Sequence, residues 1–274
     1  MSAPAVQIAE ATIGGGGRLA LIAGPCVIES LDHCLRLGER AAEACKQLGV
    51  GYIFKASCDK ANRSSIASYR GPGLHEGLEV LAAVKRRLGV PVLSDVHEPH
   101  QAEPAAQVLD VLQIPAFLCR QTDLLLAAGK TGRAINIKKG QFLSPEEMAG
   151  PVQKVRSTGN ARILLTERGT FFGYHRLVND MTAIQRMQHL APVVFDATHS
   201  CQLPGAEGQR SGGEREFVGL LARAAVAAGA DALFLEVHDD PPRAPSDAAT
   251  VWPIDQLEPL LASCVRIAQA CRGQ

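Results

Sequence analysis

"LALIAGPC", residues 19–26, decides how the rest of this chain reads. Leu19 to Gly24 form a short apolar run, and Gly24–Pro25 stops it. A short run without polar alternation marks a strand covered on both faces, as in a parallel sheet. Cys26 follows the stop at once, as filler, half a disulfide or a ligand.

Seven similar runs follow: "YIFKAS" (52–57), "PVLSDVH" (91–97), "VLQIPA" (111–116), "AINIKK" (134–139), "RILLTER" (162–168), "VVFDATH" (193–199) and "LFLEVH" (233–238). Helical patterns separate them. In "LHEGLEVLAAVKRRL" (74–88), Leu74, Leu78, Leu81, Val84 and Leu88 make one stripe at steps of three or four. "SPEE" (144–147) offers Ser144 as N-cap, Pro145 at the first helical position and Glu147 to close a capping box. Eight alternations in 274 residues match a (β/α)8 TIM barrel, whose usual length is ~250 residues. An open doubly wound sheet is the alternative, but it needs no count of eight and no G-x-G-x-x-G follows a strand. Residues 1–17 fall outside the count and predict a hairpin turning at Gly14–Gly17, seated at the barrel bottom. The chain, 1–274, reads as one catalytic barrel domain with this extension.

Lys plus Arg and Asp plus Glu are 28 each, so the net charge is zero. That balance gives no support for a nucleic-acid or acidic-membrane surface. The N-terminus lacks the basic start and apolar run of a signal peptide. No run reaches the roughly eighteen apolar residues of a membrane span. Both point to the cytosol, where eight cysteines without C-x-x-C spacing are not expected to form disulfides. Cys34, Cys45, Cys264 and Cys271 lie in helical patterns and read as small apolar fillers.

Alternation of side chains along a strand groups the polar residues. Lys55 shares a face with Ile53, Asp95 with His97, Asn136 with Lys138, Thr166 with Arg168 and Glu236 with His238, while His199 ends its strand. All lie toward the C-terminal ends of apolar strands, where barrel active sites form. One such residue reads as an ordinary strand-end group. Charges on six strands need partners, because an unpaired buried ion costs several kcal/mol. Lys55, Lys60, Arg120, Lys138 and Arg168 come from strands two, four, five and six, an arc suited to phosphates and carboxylates. Cys26, His199, Glu236 and Asp247 come from the first, seventh and eighth strands, neighbours in a closed ring. Together they suit one divalent ion, and their mixture of soft and hard donors admits Zn2+, Fe2+ or Mn2+. Alternatively Cys26 packs in the core and His199 works alone; Cys201 is a rival thiol.

"IAGPC", "KASCDKANRSS" (55–65), "LSDVHE", "QIPAFLCRQTD", "NIKKGQF", "LTERGTFFGY", "DATHSCQLPG" and "FLEVHDDPPRAPSD" span residues 22 to 247. They resemble the 3-deoxy-D-manno-octulosonate 8-phosphate synthases. The resemblance implies a barrel that condenses phosphoenolpyruvate with D-arabinose 5-phosphate for lipopolysaccharide synthesis in the cytosol. Cys26 stands where the family's metal-independent branch has Asn, so the resemblance implies the metal-dependent branch, with Cys26, His199, Glu236 and Asp247 as ligands. It further implies that Lys55, Lys60, Lys138, Arg168 and the Ala116 backbone N–H grip phosphoenolpyruvate. Asn62, Arg63, Ser64 and Asp95 would hold the sugar phosphate, and Arg120 would reach a neighbour's in a homotetramer. Lys60, Asp95, His199 and Cys26 would stand at the reacting centre. Cys58 departs from the more common "SFDKANRSS", with no mechanistic meaning attached.

Two rivals remain. The related 3-deoxy-D-arabino-heptulosonate 7-phosphate synthases also carry "AGPC" but read Lys-Pro-Arg-Thr where this chain has "KANRS" (60–64). A non-catalytic anion-binding barrel would have no need to keep every member of both sets.

Overall fold

Eight parallel strands close into a ring: β3 (Ala20–Gly24), β4 (Gly51–Lys55), β5 (Val92–Asp95), β6 (Val111–Ile114), β7 (Ala134–Lys138), β8 (Ile163–Glu167), β9 (Val193–Asp196) and β10 (Ala232–His238). Each pairs with the next, and β10 pairs with both β9 and β3, which completes the cylinder. This computed structural model describes residues 4–63, 65–171, 175–207 and 210–272. The architecture is the (β/α)8 barrel, with a helix after every strand; the first two are α1 (Leu31–Leu48) and α2 (Leu74–Leu88). In α2 the stripe reads as expected: Leu78, Leu81 and Val84 are buried, and Leu74 and Leu88 pack at its ends. Ser144 and Glu147 form the expected box: Glu147 N–H donates to Ser144 Oγ at 3.4 Å and Ser144 N–H to Glu147 Oε2 at 2.8 Å.

Strand alternation separates two apolar cores. Outward residues such as Leu21, Phe54 and Phe195 meet the helices. Inward residues Ala20, Ile22, Ile53, Leu93, Val111, Ala134, Leu164, Val194, Ala232 and Phe234 fill the lumen. A hairpin, β1 (Val6–Ile8) and β2 (Ala11–Ile13), caps that lumen with Val6, Ile8, Ala11 and Ile13. The hairpin turns at Ala9–Glu10, with Ala9 at φ +49°, and not at Gly14–Gly17. Pairing Ile8 with Ala11 sets all four apolar side chains on one face, and that burial outweighs the glycines' preference for the turn.

Several strands end earlier than the apolar runs suggest. The run at 193–199 is strand only to Asp196, and Ala197–Ser200 form one helical turn. Asp196 ends it by capping: its carboxylate accepts the His199 backbone N–H at 2.9 Å. Cys34, Cys45 and Cys264 are buried fillers as expected, whereas Cys271 is exposed. Among the described residues, no helix is long and apolar enough to cross a membrane.

Candidate active site

The C-terminal ends of the strands open into a cavity of about 1480 Å³ lined by Lys55, Lys60, Asn62, Arg63, Asp95, Ala116, Lys138, Arg168, His199, Glu236 and Asp247. Phe234 lies buried beneath two of its cations, with Lys138 Nζ 4.0 Å and Lys55 Nζ 5.5 Å from the ring centroid. Ser64 lies outside the described residues. Arg120 is exposed and does not line this cavity.

The cationic arc and the metal-competent set interlock. Lys55 Nζ donates to Glu236 Oε1 at 2.6 Å, and Lys60 Nζ reaches the same oxygen at 3.5 Å. Lys138 Nζ donates to Asp196 Oδ2 at 2.5 Å. Burial opposes ionisation of Glu236, but Lys55, Lys60, His199 and Lys138 outweigh it and hold the carboxyl well below its usual range. Asp196 behaves likewise, burial being overcome by His199 and Lys138. For Lys138 and Arg168 burial prevails and lowers the pKa.

The presumed strand end at His199 is corrected by the Asp196 cap. Val193 and Phe195 face the helices, so strict alternation would have turned a strand residue 199 outward. The helical turn re-aims the imidazole into the lumen. His199 Nδ1 lies 2.7 Å from Asp196 Oδ2, so Nδ1–H donates to that carboxylate. Nε2 faces Glu236 Oε2 at 3.6 Å, and that oxygen is buried without a hydrogen-bond partner among the described residues.

Cys26 is delivered by a tight crossing. A Cβ on Gly24 would collide with the Lys55 carbonyl oxygen, so "AGPC" needs its glycine. The Cys26 thiol donates to Asp247 Oδ2 at 3.1 Å. Burial, then Glu236, push its pKa well up. Asp247 sits at φ +52°, a strained conformation for a non-glycine residue. It is fixed by Gln202 Nε2 on Oδ1 at 2.5 Å and Ser246 Oγ on Oδ2 at 2.8 Å. Ligand atoms of Cys26, Glu236 and Asp247 lie within 4.8 Å of one another, and His199 joins them through Glu236. The unpartnered Glu236 Oε2 thus stands beside a thiol, an imidazole and a second carboxylate, a donor set that fits a divalent ion.

The sequence of this chain matches the profile of the DAHP synthetase I family over residues 3–269. The chain belongs to that family. Similar proteins include three named 2-dehydro-3-deoxyphosphooctonate aldolase. That of Syntrophotalea carbinolica is 56% identical over 98% of this chain and 97% of its own length. That of Koribacter versatilis is 57% identical over 93% of each. That of Cyanothece sp. is 55% identical over 95% of this chain and 96% of its own.

In this family member a hydrogen-bonded layer lies beneath these groups, of which the sequence pattern gave Asn136 and Thr166 but not Gln113. Thr166 Oγ1 donates to Asn136 Oδ1 at 2.7 Å, Asn136 Nδ2 to Gln113 Oε1 at 2.8 Å, and Gln113 Nε2 to Asp95 Oδ1. Ser57 Oγ donates to Asp95 Oδ2 at 2.7 Å. The relay fixes Asp95 as an acceptor; burial works against its charge, but Lys55, Lys60, His97 and Lys138 hold its pKa low. Gln113 was detectable: it shares a face with Val111. Asp196 was detectable as a cap three residues before His199. Arg63 is locked by Tyr69 O, Pro245 O and Ser246 Oγ at 2.7–3.0 Å.

Proposed function

We propose that this chain condenses phosphoenolpyruvate with D-arabinose 5-phosphate. The products are 3-deoxy-D-manno-octulosonate 8-phosphate, a lipopolysaccharide precursor, and inorganic phosphate. The observation that carries the reading is the cationic floor of Lys55, Lys60, Lys138 and Arg168, in a chain whose nearly full-length relatives are named for this product. Those cations take the phosphate and carboxylate of phosphoenolpyruvate, with the Ala116 N–H. Arg168 supplies Nη1, which is buried without a partner among the described residues. Asn62, the preset Arg63, Ser64 and Asp95 hold the pentose phosphate. Two anions held head to head gain orientation, and the fixed cations offset their repulsion.

C3 of phosphoenolpyruvate bonds to the aldehyde carbon, and the aldehyde oxygen takes a proton. Water adds at C2, and the hemiketal expels phosphate by C–O cleavage. Lys60 is the cation that neutralises the developing alkoxide; Asp95 and His199 handle protons. Cys26, His199, Glu236 and Asp247 hold one Zn2+, Fe2+ or Mn2+. When bound, that ion supplies Lewis acidity toward the aldehyde or water oxygen. Holding it takes the proton that Cys26 keeps in the free chain. Arg120, exposed and away from its own cavity, reaches the sugar phosphate of a neighbouring subunit in a cytoplasmic homotetramer. Exposed Phe117, Phe142 and Phe171 on successive loops support such an assembly.

The test offers phosphoenolpyruvate with either arabinose 5-phosphate or erythrose 4-phosphate and follows phosphate. Release with the pentose alone is expected. Release with the tetrose alone makes the chain a heptulosonate synthase, and binding without release makes it a binding barrel. Chelation should abolish turnover and a divalent ion restore it. Full activity after demetallation rejects the metal assignment. Cys26→Asn should shed the ion yet keep measurable activity.

A further inference from the structure

A second cluster of histidines and carboxylates lies outside the cavity, where α1 begins and β10 ends. Glu29 precedes the helix. Ser30 caps it, its Oγ accepting the His33 N–H at 3.1 Å, and so fixes the turn that carries His33. His238 is the last residue of β10. His33 and His238 are each 5% exposed, their rings 4.7 Å apart. Glu29 Oε1 lies 2.9 Å from His238 Nε2 and 3.4 Å from His33 Nδ1. His33 Nδ1 is buried without a hydrogen-bond partner among the described residues. Ligand atoms of all three residues fall within 4.8 Å of one another.

We propose that Glu29, His33 and His238 form a second divalent transition-metal site, of the class that takes Zn2+. Two imidazoles and one carboxylate are a recurrent zinc set with a position left for water. Asp239 completes it: Oδ1 accepts His33 Nε2–H at 3.0 Å and stands 3.3 Å from His238 Nδ1. A carboxylate on the remote nitrogen of each ligating imidazole is the usual support of such sites. In the metal-free chain His238 Nδ1 accepts the Asp240 N–H at 2.8 Å, so Nε2 carries the proton and donates it to Glu29. Binding moves that ring proton to Nδ1, where Asp239 accepts it, and frees the Asp240 N–H to solvent. Arg36 donates to the other Asp239 oxygen at 3.2 Å and keeps that carboxylate in place. Glu29 and Asp239 are partly exposed, so the site opens to solvent. It pins the first turn of α1 to the strand that carries Glu236 two residues earlier.

The test titrates metal-stripped full-length chains with Zn2+ alone. Cys26→Ala should retain one equivalent, which Glu29→Gln or His33→Ala in that background weakens tenfold or more. Asp239→Asn should weaken it by about 10–100-fold. The retained equivalent should raise the melting temperature of Cys26→Ala. With Co2+, a thiolate charge-transfer band should saturate at the first equivalent of the wild-type chain, and a second equivalent should add ligand-field absorption alone. Cys26→Ala that binds no Zn2+ overturns the proposal, and so does a retained equivalent indifferent to Glu29 and His33. A wild-type chain with one equivalent and the thiolate band overturns this site while leaving the catalytic ion intact.

Discussion

The lower and upper halves of the barrel lumen are built from the same strands and share almost no chemistry. Ile53 is followed on its face by Lys55, Leu93 by Asp95, Val111 by Gln113, Leu164 by Thr166, Val194 by Asp196 and Phe234 by Glu236. The boundary is one dipeptide step, roughly 6–7 Å along a strand. Below it the hairpin and ten strand residues form an apolar plug. Above it the inward groups are polar and lean on one another. The same backbone ring therefore carries stability at one end and preset charge at the other.

Lys55→Ala attacks the upper half at its tightest pair. Turnover should fall by roughly 10²–10³-fold. Stability should drop by about 3–5 kcal/mol, since Glu236 would keep a buried charge without its 2.6 Å partner. Steady-state rates and urea unfolding measure both, and unchanged stability would mean Lys60 suffices. Ile13→Ala strikes the lower half. It should cost about 2–5 kcal/mol in unfolding experiments and leave turnover within about threefold. A loss of turnover matching the Lys55 variant would erase the division between halves. The mildest probe is pH. Asp95 has a depressed pKa, so it adds stability above its unfolded pKa of about 3.9 and loses it as pH falls below that. The stability gap between the wild-type chain and Asp95→Asn should stay level from about pH 7 to 5 and narrow below about pH 4. A gap that widens in acid would place Asp95 outside the cation field.

Much of this was legible in the sequence because barrel strands are buried on both faces and read as unbroken apolar runs. Alternation then put Lys55, Asp95, Lys138 and Arg168 on the lumen side without any structure. His199 was placed in the site for an incomplete reason: "VVFDATH" looks like strand throughout, and only the Asp196 cap turns the ring inward. The meeting of both charge sets on Glu236 was hidden, because it depends on how far lysine side chains reach across the lumen and not on register. The hairpin turn misled for a related cause: glycine marks where a chain is free to turn, while burial of Val6, Ile8, Ala11 and Ile13 decides where it does.

The β1–β2 plug also closes the lumen at the N-terminal ends of its strands, so the cavity opens at the C-terminal ends. A six-residue stopper thus decides which mouth of the cylinder is left to meet solvent.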